Sequence, residues 1–489
     1  MKKALLIIAF TLLALCSVIL FRAARFTSKQ IAIAPVTDAS INAQEVAKHL
    51  AGALRFQTVS NEGGGQTNAE AFLGLHKYLA QTFPKLHEKL SQEVVADYSL
   101  LYTWKGHDDR LRPILLMSHL DVVPVVPGTE AQWTQPPFAG RIADGFIWGR
   151  GALDDKVGVL GILEAVEKLA GEGYQPQRTV YFAFGHDEES KGHGAAIMAK
   201  LLGERGVTFD SILDEGGLIT NGIVPGIAVP TALVAVAEKA SVSVDLTVET
   251  EGGHSSTPPK QTAIGVLSAA IKRLEDNPMP SRIGGAMARS FAYLGPELPF
   301  LPRLAIANLW LFDSFIRQQL AANPTSDATI RTTTAVTIIE GGVKENVLPP
   351  QARAVVNFRI LPGDKVNDVL AHVRQTVADP RVNIALHGDN PREPSNLSSD
   401  DTESFRLLQR TISQVFPQTI VVPNLSIAAT DTRNYEKLSD NIYRFAPAKV
   451  GPDDLKRIHG TNERIAVDNY RDAVRFYVQY LRNATGQGA

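Results

Sequence analysis

Cysteine is nearly absent. The 489 residues contain one, Cys16, and it lies in an apolar N-terminal stretch. The rest of the chain therefore has no intrachain disulfide, no thiol nucleophile and no thiolate metal site. Any metal must be held by His, Asp or Glu. Net charge is also small: Lys plus Arg total 49 against 51 acids, a formal −2. No basic run carries interleaved aromatics, so nucleic acid is not an expected partner. There is no internal repeat and no low-complexity tract, which excludes solenoid arrays and long disordered linkers. What remains is an ordinary globular composition, 44% hydrophobic and 20% charged, at a length that suits two or three domains.

The N-terminus does carry one long apolar run, "MKKALLIIAFTLLALCSVILFRAARF". Ala4 to Phe21 is uncharged and, as a helix, spans roughly 27 Å, close to a bilayer core. It is long for the apolar part of a signal peptide, and no A-x-A cleavage site follows. We read residues 1–26 as an uncleaved signal anchor, with a cleaved signal peptide as the alternative. The body is expected to be exported, periplasmic or extracellular, and secreted if the segment is removed. Lys2 and Lys3 precede the run, and Arg22, Arg25 and Lys29 follow it, so orientation is weakly specified.

Residues 27–41 read as a linker. From 42 to 239, strand-like and helix-like segments alternate: "ILLMSH" (114–119), "VGVLGILEAVEKLAGEG" (157–173), "RTVYFAFG" (178–185) and "SILD" (211–214). That alternation predicts an α/β catalytic layer on a mostly parallel sheet. At about 240 the period changes to two, in "SVSVDLTVE", "TTTAVTIIEGG" and "ARAVVNFRIL", as in a sheet with one wet face. Residues 240–390 are expected to form an inserted, smaller α+β lid domain. An apolar helical excursion at 277–331 lies within it. The α/β pattern returns over 391–489. Its last helix is expected to begin near Asn462 as N-cap, with a core stripe of Val467, Tyr470, Val474, Tyr477 and Leu481.

Acids and histidines gather at strand ends. His119 closes "ILLMSH", and Asp121 follows two positions on, on the same side of an extended segment. A carboxylate there can fix the imidazole's tautomer, as metal-bound histidines require; a core histidine beside a solvated aspartate would look the same. Asp154 and Asp155 precede a helix, where one acid suffices for a cap and the second is in excess. Asp187, Glu188 and Glu189 follow a buried run, where adjacent like charges are costly unless something compensates them. Asp214 and Glu215 end a further strand, and His459 lies before the last helix. In open α/β sheets, sites lie at the carboxyl ends of strands. Imidazole and carboxylate donors without thiolate suit zinc, or cobalt and manganese. Five donors with one bridging acid would hold two ions, which would compensate the crowded acids.

"SHLDVVP", "GRGALDDK", "GHDEES", "LDEGG", "GGHSSTPP", "NVLP" and "IHGTNE" occur in this order. The set resembles the dizinc exopeptidase family of aminoacylase-1, carboxypeptidase S and the glutamate carboxypeptidases. The likeness covers about 45–485 and reaches, through "FAYLGPELPF", to the carboxypeptidase S and N-acyl-amino-acid synthase/hydrolase branch. It implies a zinc-exopeptidase-like fold and two Zn2+ per subunit, with Co2+ or Mn2+ as substitutes. It assigns His119, Asp154, Glu189, Asp214 and His459 as metal ligands, with Asp154 bridging. It makes Glu188 the general base, Asp121 the carboxylate behind His119, and Asp154–Asp155 a cis peptide. His254 would stabilise the oxyanion, in some members at a partner subunit's site, so a homodimer is allowed. Asn346 would contact substrate and Arg359 its carboxylate.

The implied reaction is hydrolysis of the amide next to a C-terminal amino-acid carboxylate, as a carboxypeptidase or dipeptidase. Hydrolysis or synthesis of long-chain N-acyl amino acids is the alternative. The apolar 291–316 stretch is read as a buried domain-packing helix ahead of a lipophilic acyl pocket. A reading from another class is a membrane-tethered metal protein that binds without turnover; the intact Glu188 and His254 argue against it.

Overall fold

The computed structural model describes residues 1–36, 40–60, 68–388 and 391–486. Part of the expected linker (37–39) and the expected domain boundary at 390 lie outside the described residues.

Among the described residues, ten strands form one mixed sheet. At its centre Val180–Gly185, Ile114–His119, Ser211–Asp214 and Ile442–Arg444 are successive parallel neighbours. Every residue of Ile114–His119 is buried, because helices cover both faces and leave no wet side to alternate with. Ile114 and Leu116 point into one core, against helix Lys156–Gly171 and the last helix. Leu115 and Met117 point into the other, with Met198 and Leu202 of helix His193–Glu204. The sheet turns antiparallel toward its edges, at Ser99–Trp104 and at Thr231–Glu238.

The last helix is Val467–Thr485, and its Val467, Tyr470, Val474, Tyr477 and Leu481 are all buried. Its start corrects the expected cap. Arg464–Ala466 is a strand paired with Phe146–Trp148, so the helix cannot begin before it. Asn462 sits at φ 60° and clips two loops instead: its Nδ2 donates to the Gln132 carbonyl (3.0 Å), and its Oδ1 accepts from the Thr134 N–H (2.6 Å).

A second, four-stranded antiparallel sheet runs Thr333–Gly341, Gln351–Ile360, Ala240–Glu249, Val382–Leu386. Helices Ala263–Asp276 and Val366–Val377 cover one face, enclosing a separate core of Val244, Leu246, Val356, Phe358, Val266 and Val369. The period-two pattern has this cause, since the other face is open. The 277–331 excursion is helical, and it divides. Helix Gly285–Leu294 packs on strand Ile420–Ser426 of the large sheet, with Ser290 Oγ donating to the Pro423 carbonyl (2.5 Å). Helices Phe300–Ala307 and Leu309–Ala321 bury no residue.

Candidate metal centre

Three parallel strands end beside one another at His119, Gly185 and Asp214, and the loops after them bring their polar side chains together. His119 is buried. Its Nδ1 faces Asp121, 3.1 Å from the carbonyl and 3.3 Å from Oδ1, and its Nε2 lies 3.1 Å from Asp154 Oδ1. Asp121 is buried too. It accepts from Ser60 Oγ (2.6 Å) and from the backbone N–H groups of Glu188 (3.2 Å) and Glu189 (3.1 Å). One carboxylate thus orients the imidazole and pins the acidic loop of the neighbouring strand.

The three crowded acids divide their work. Asp187 caps helix His193–Glu204, accepting from the His193 and Gly194 N–H groups (2.8 Å each). Glu188 and Glu189 line a cavity of about 240 Å³ together with Asp154, Glu215 and His459. Of the Asp154–Asp155 pair, joined by a cis peptide, Asp155 turns away from the cavity to accept from Ser118 Oγ. It stands at the N-cap position of its helix, yet its side chain caps no N–H.

Asp154 meets an imidazole with each oxygen: Oδ1 on His119 and Oδ2 on His459 Nε2, both at 3.1 Å. His459 Nε2 also lies 3.0 Å from Glu189 Oε1. One donor atom each from His119, Asp154 and Glu189 falls within a 4.8 Å group. His459 is delivered from far along the chain by a buried ion pair, Arg150 to Glu463 at 2.6 Å. Glu463 Oε1 also accepts from the N–H groups of Gly151 (3.0 Å), Leu153 (2.8 Å) and Asp154 (3.2 Å), and Arg150 donates to the His459 carbonyl (3.2 Å). Glu463 and Arg150 were not identified from sequence. Their signal is a buried charge of each sign, and burial is not legible in a single chain.

Asp214 lies deeper than its neighbour Glu215. Successive residues at a strand end face opposite sides, and here Glu215, not Asp214, lines the cavity. Asp214 is buried behind it, near Thr430 and Arg444, with Oδ2 lacking a hydrogen-bond partner. Burial raises Asp214 to about 6, and burial beside Asp154 and Asp155 pushes Glu215 well above the carboxylate range.

Burial, reinforced by Asp431, Asp121 and Glu189, likewise holds Glu188 well above its usual value, opposed by His119. Burial also opposes ionisation of Asp154, yet hydrogen bonds from His119 and His459 keep it below the usual range. Reciprocally, Asp154 and Glu189 raise His459 to about 10. The raised imidazoles and the lowered Asp154 attract one another, which draws donors of both kinds together. Divalent cations fit the same N and O donors, and they would neutralise the remaining acids without protons.

The other predicted residues lie elsewhere. His254 is exposed in the short ladder Gly253–His254 with Val347–Leu348, its Nδ1 hydrogen-bonded with Ser256 Oγ (2.8 Å). Exposed Asn346 adjoins it, its carbonyl accepting from the Ser255 N–H (3.1 Å). Arg359 is exposed on strand Gln351–Ile360. None of the three lines the cavity.

The model of peptidase family M20/M25/M40 matches residues 115–483. A probable carboxypeptidase S-like protein of Dictyostelium discoideum is 42% identical, over 98% of this chain and 93% of its own. The human N-fatty-acyl-amino acid synthase/hydrolase is 43% identical, over 89% and 87%. Among solved structures, an M20 family metallo-carboxypeptidase from Sulfolobus solfataricus superposes with a TM-score of 0.64 at 20% identity, over 90% of this chain and 98% of its own.

Proposed function

The chain belongs to peptidase family M20/M25/M40 and is a hydrolase of amide bonds, and from that premise we propose a dinuclear zinc exopeptidase acting next to a C-terminal amino-acid carboxylate. The observation that carries this reading is Asp154, one oxygen on each of two imidazoles, beside a half-buried Glu188 in a cavity. His119, Asp154, Glu189, Glu215 and His459 would hold two ions, Glu215 being taken ahead of Asp214 because it lines the cavity. When bound, such ions supply Lewis acidity and bring the pKa of water toward about 7.

The protein's own part is orientation and proton handling. Asp121 fixes His119 through Nδ1, leaving Nε2 as the donor. Glu188 takes the proton of the attacking water and passes it to the leaving amine; its raised affinity for protons matches both steps. Arg359 offers a planar fork to the substrate carboxylate. His254 polarises the scissile carbonyl, with Asn346 beside it on the substrate. Because these three residues lie outside the cavity wall, they act there from a closed position of the second sheet unit or from a second copy of the chain.

The N-terminal helix, Lys2–Arg25, is long and apolar enough to cross a membrane. We assign it as an anchor with the body outside the cytoplasm. Substrates are small peptides or N-acyl amino acids, which share an amide and a carboxylate and differ on the acyl side. A Gly-Xaa dipeptide and an N-oleoyl amino acid, assayed side by side with metal analysis, separate the two. Two ions per chain with faster dipeptide turnover supports the reading. Faster oleoyl turnover moves it to the acyl branch, and a metal-loaded protein inert to both overturns it.

A further inference from the structure

We propose that helices Phe300–Ala307 and Leu309–Ala321 form a membrane-docking surface beside the N-terminal helix, their partner being the headgroup and upper acyl region of a lipid leaflet. Neither helix buries a residue, and Phe300, Leu301, Trp310 and Phe315 are 60%, 73%, 56% and 57% exposed. Large apolar side chains grouped in this way mark an interaction site.

Lipid is the occupant because of where the patch sits. Most of the N-terminal helix's apolar run from Leu5 to Phe21 is exposed, with Leu15 and Ile19 half-buried, and its end is bonded to the junction of these two helices. Asn308 Nδ2 donates to the Ile19 carbonyl (3.1 Å), Arg22 Nε to the Ala307 carbonyl (3.2 Å), and Arg303 to the Phe26 carbonyl (2.8 Å). Ile19 still belongs to the apolar run, so the junction lies level with its last turn. At about 1.5 Å per residue, that depth is the boundary between acyl chains and headgroups. The exposed residues flank the junction on both sides, 300–301 before it and 310–315 after it. A 400 Å³ cavity at the junction is lined by Phe21, Phe291, Ile306 and Leu309 together with Arg22 and Arg25. Phe21 ends the apolar run and Arg22 and Arg25 follow it, an order along the helix that matches acyl chains and then phosphates. An indole at the boundary fits the interfacial preference of tryptophan.

The inference rests on the anchor assignment, and the test separates the two. The full chain is reconstituted into vesicles of phosphatidylcholine and phosphatidylglycerol, a fraction of the former brominated near the carbonyl end of its acyl chains. Trp104, Trp133 and Trp148 are buried in the body, and the N-terminal helix has no tryptophan, so lipid-borne quenching reads Trp310. We expect a blue shift and quenching that Trp310→Phe abolishes and that Leu301→Ser with Phe315→Ser weakens at least twofold. Resistance to an alkaline carbonate wash reports the anchor independently. A wash-resistant chain with unquenched Trp310 overturns the docking surface, as does quenching unchanged by Trp310→Phe. Cross-linking of two copies through these helices, with Trp310 shielded from lipid, also overturns it in favour of self-association. A chain that washes off yet shows Trp310 quenching before the wash keeps the docking surface and removes the anchor.

Discussion

At the scale of single residues, the site separates groups that hold position from groups that move protons. Glu188 is expected to do the second alone. Glu188→Gln should leave metal content unchanged and lower kcat by about two to four orders of magnitude, the range for a positioned general base; near-normal kcat refutes the assignment. Asp214 and Glu215 give a sharper contrast, being adjacent in sequence and opposed in direction. Glu215→Ala should cost at least one ion per chain by elemental analysis, whereas Asp214→Asn should retain both. The reverse result would return the ligand role to Asp214. Asp121 differs from both, since its oxygens serve Ser60, His119 and two backbone N–H groups, so its loss should misplace a ligand and the base together.

At the scale of elements, the metal-side loops depend on how closely helices approach the sheet. Helix Lys156–Gly171 lies against strand Ile114–His119 through Gly158, where an added Cβ would stand 2.5 Å from Ser118 Oγ and 2.7 Å from Asp155 Oδ1. Gly158→Ala should therefore destabilise by about 1–3 kcal/mol, the usual cost of overpacking, and displace Asp154 with its neighbour. Urea unfolding and metal titration read the two effects; an unchanged midpoint with unchanged affinity would show that the helix can retreat without consequence.

At the scale of the whole molecule, the metal-free protein should be sensitive to pH in a direction the burial dictates. Burial raises Asp155 to about 7 and Asp431 to about 8, from 3.8 for an ordinary aspartate, and Glu188 and Glu215 rise for the same reason. A folded state that binds these protons more tightly than the unfolded chain loses stability as pH rises through the folded values. Raised His119 and His459 add in the same sense. Asp154, which is lowered, acts only below the ordinary carboxylate value, outside this window, whereas Lys156 and Lys239, lowered by burial to about 7 and about 8, act in the opposite sense near its top and are outnumbered by the raised acids. Chelator-treated protein should lose on the order of 5 °C or more in Tm between pH 5 and 8, and added zinc should restore it. A flat profile for the metal-free form would mean that its acids stay ionised without compensation.

Local order could be read from residues alone, because it depends on neighbours in the chain. The unbroken apolar run of Ile114–His119, the stripe of the last helix and the period-two strands near 240–360 each carry their own pattern. The motifs brought His119, Asp121, Asp154, Glu188, Glu189 and His459 to one site, and the structure gathers them. Facing directions and long-range pairings depend on atoms distant in the chain. The turn of Glu215 rather than Asp214 into the cavity, the Arg150–Glu463 pair that carries His459 to Asp154, and the strand at 464–466 that displaces the expected Asn462 cap all have this origin. Each is decided by which backbone lies alongside, and chain order alone does not contain that.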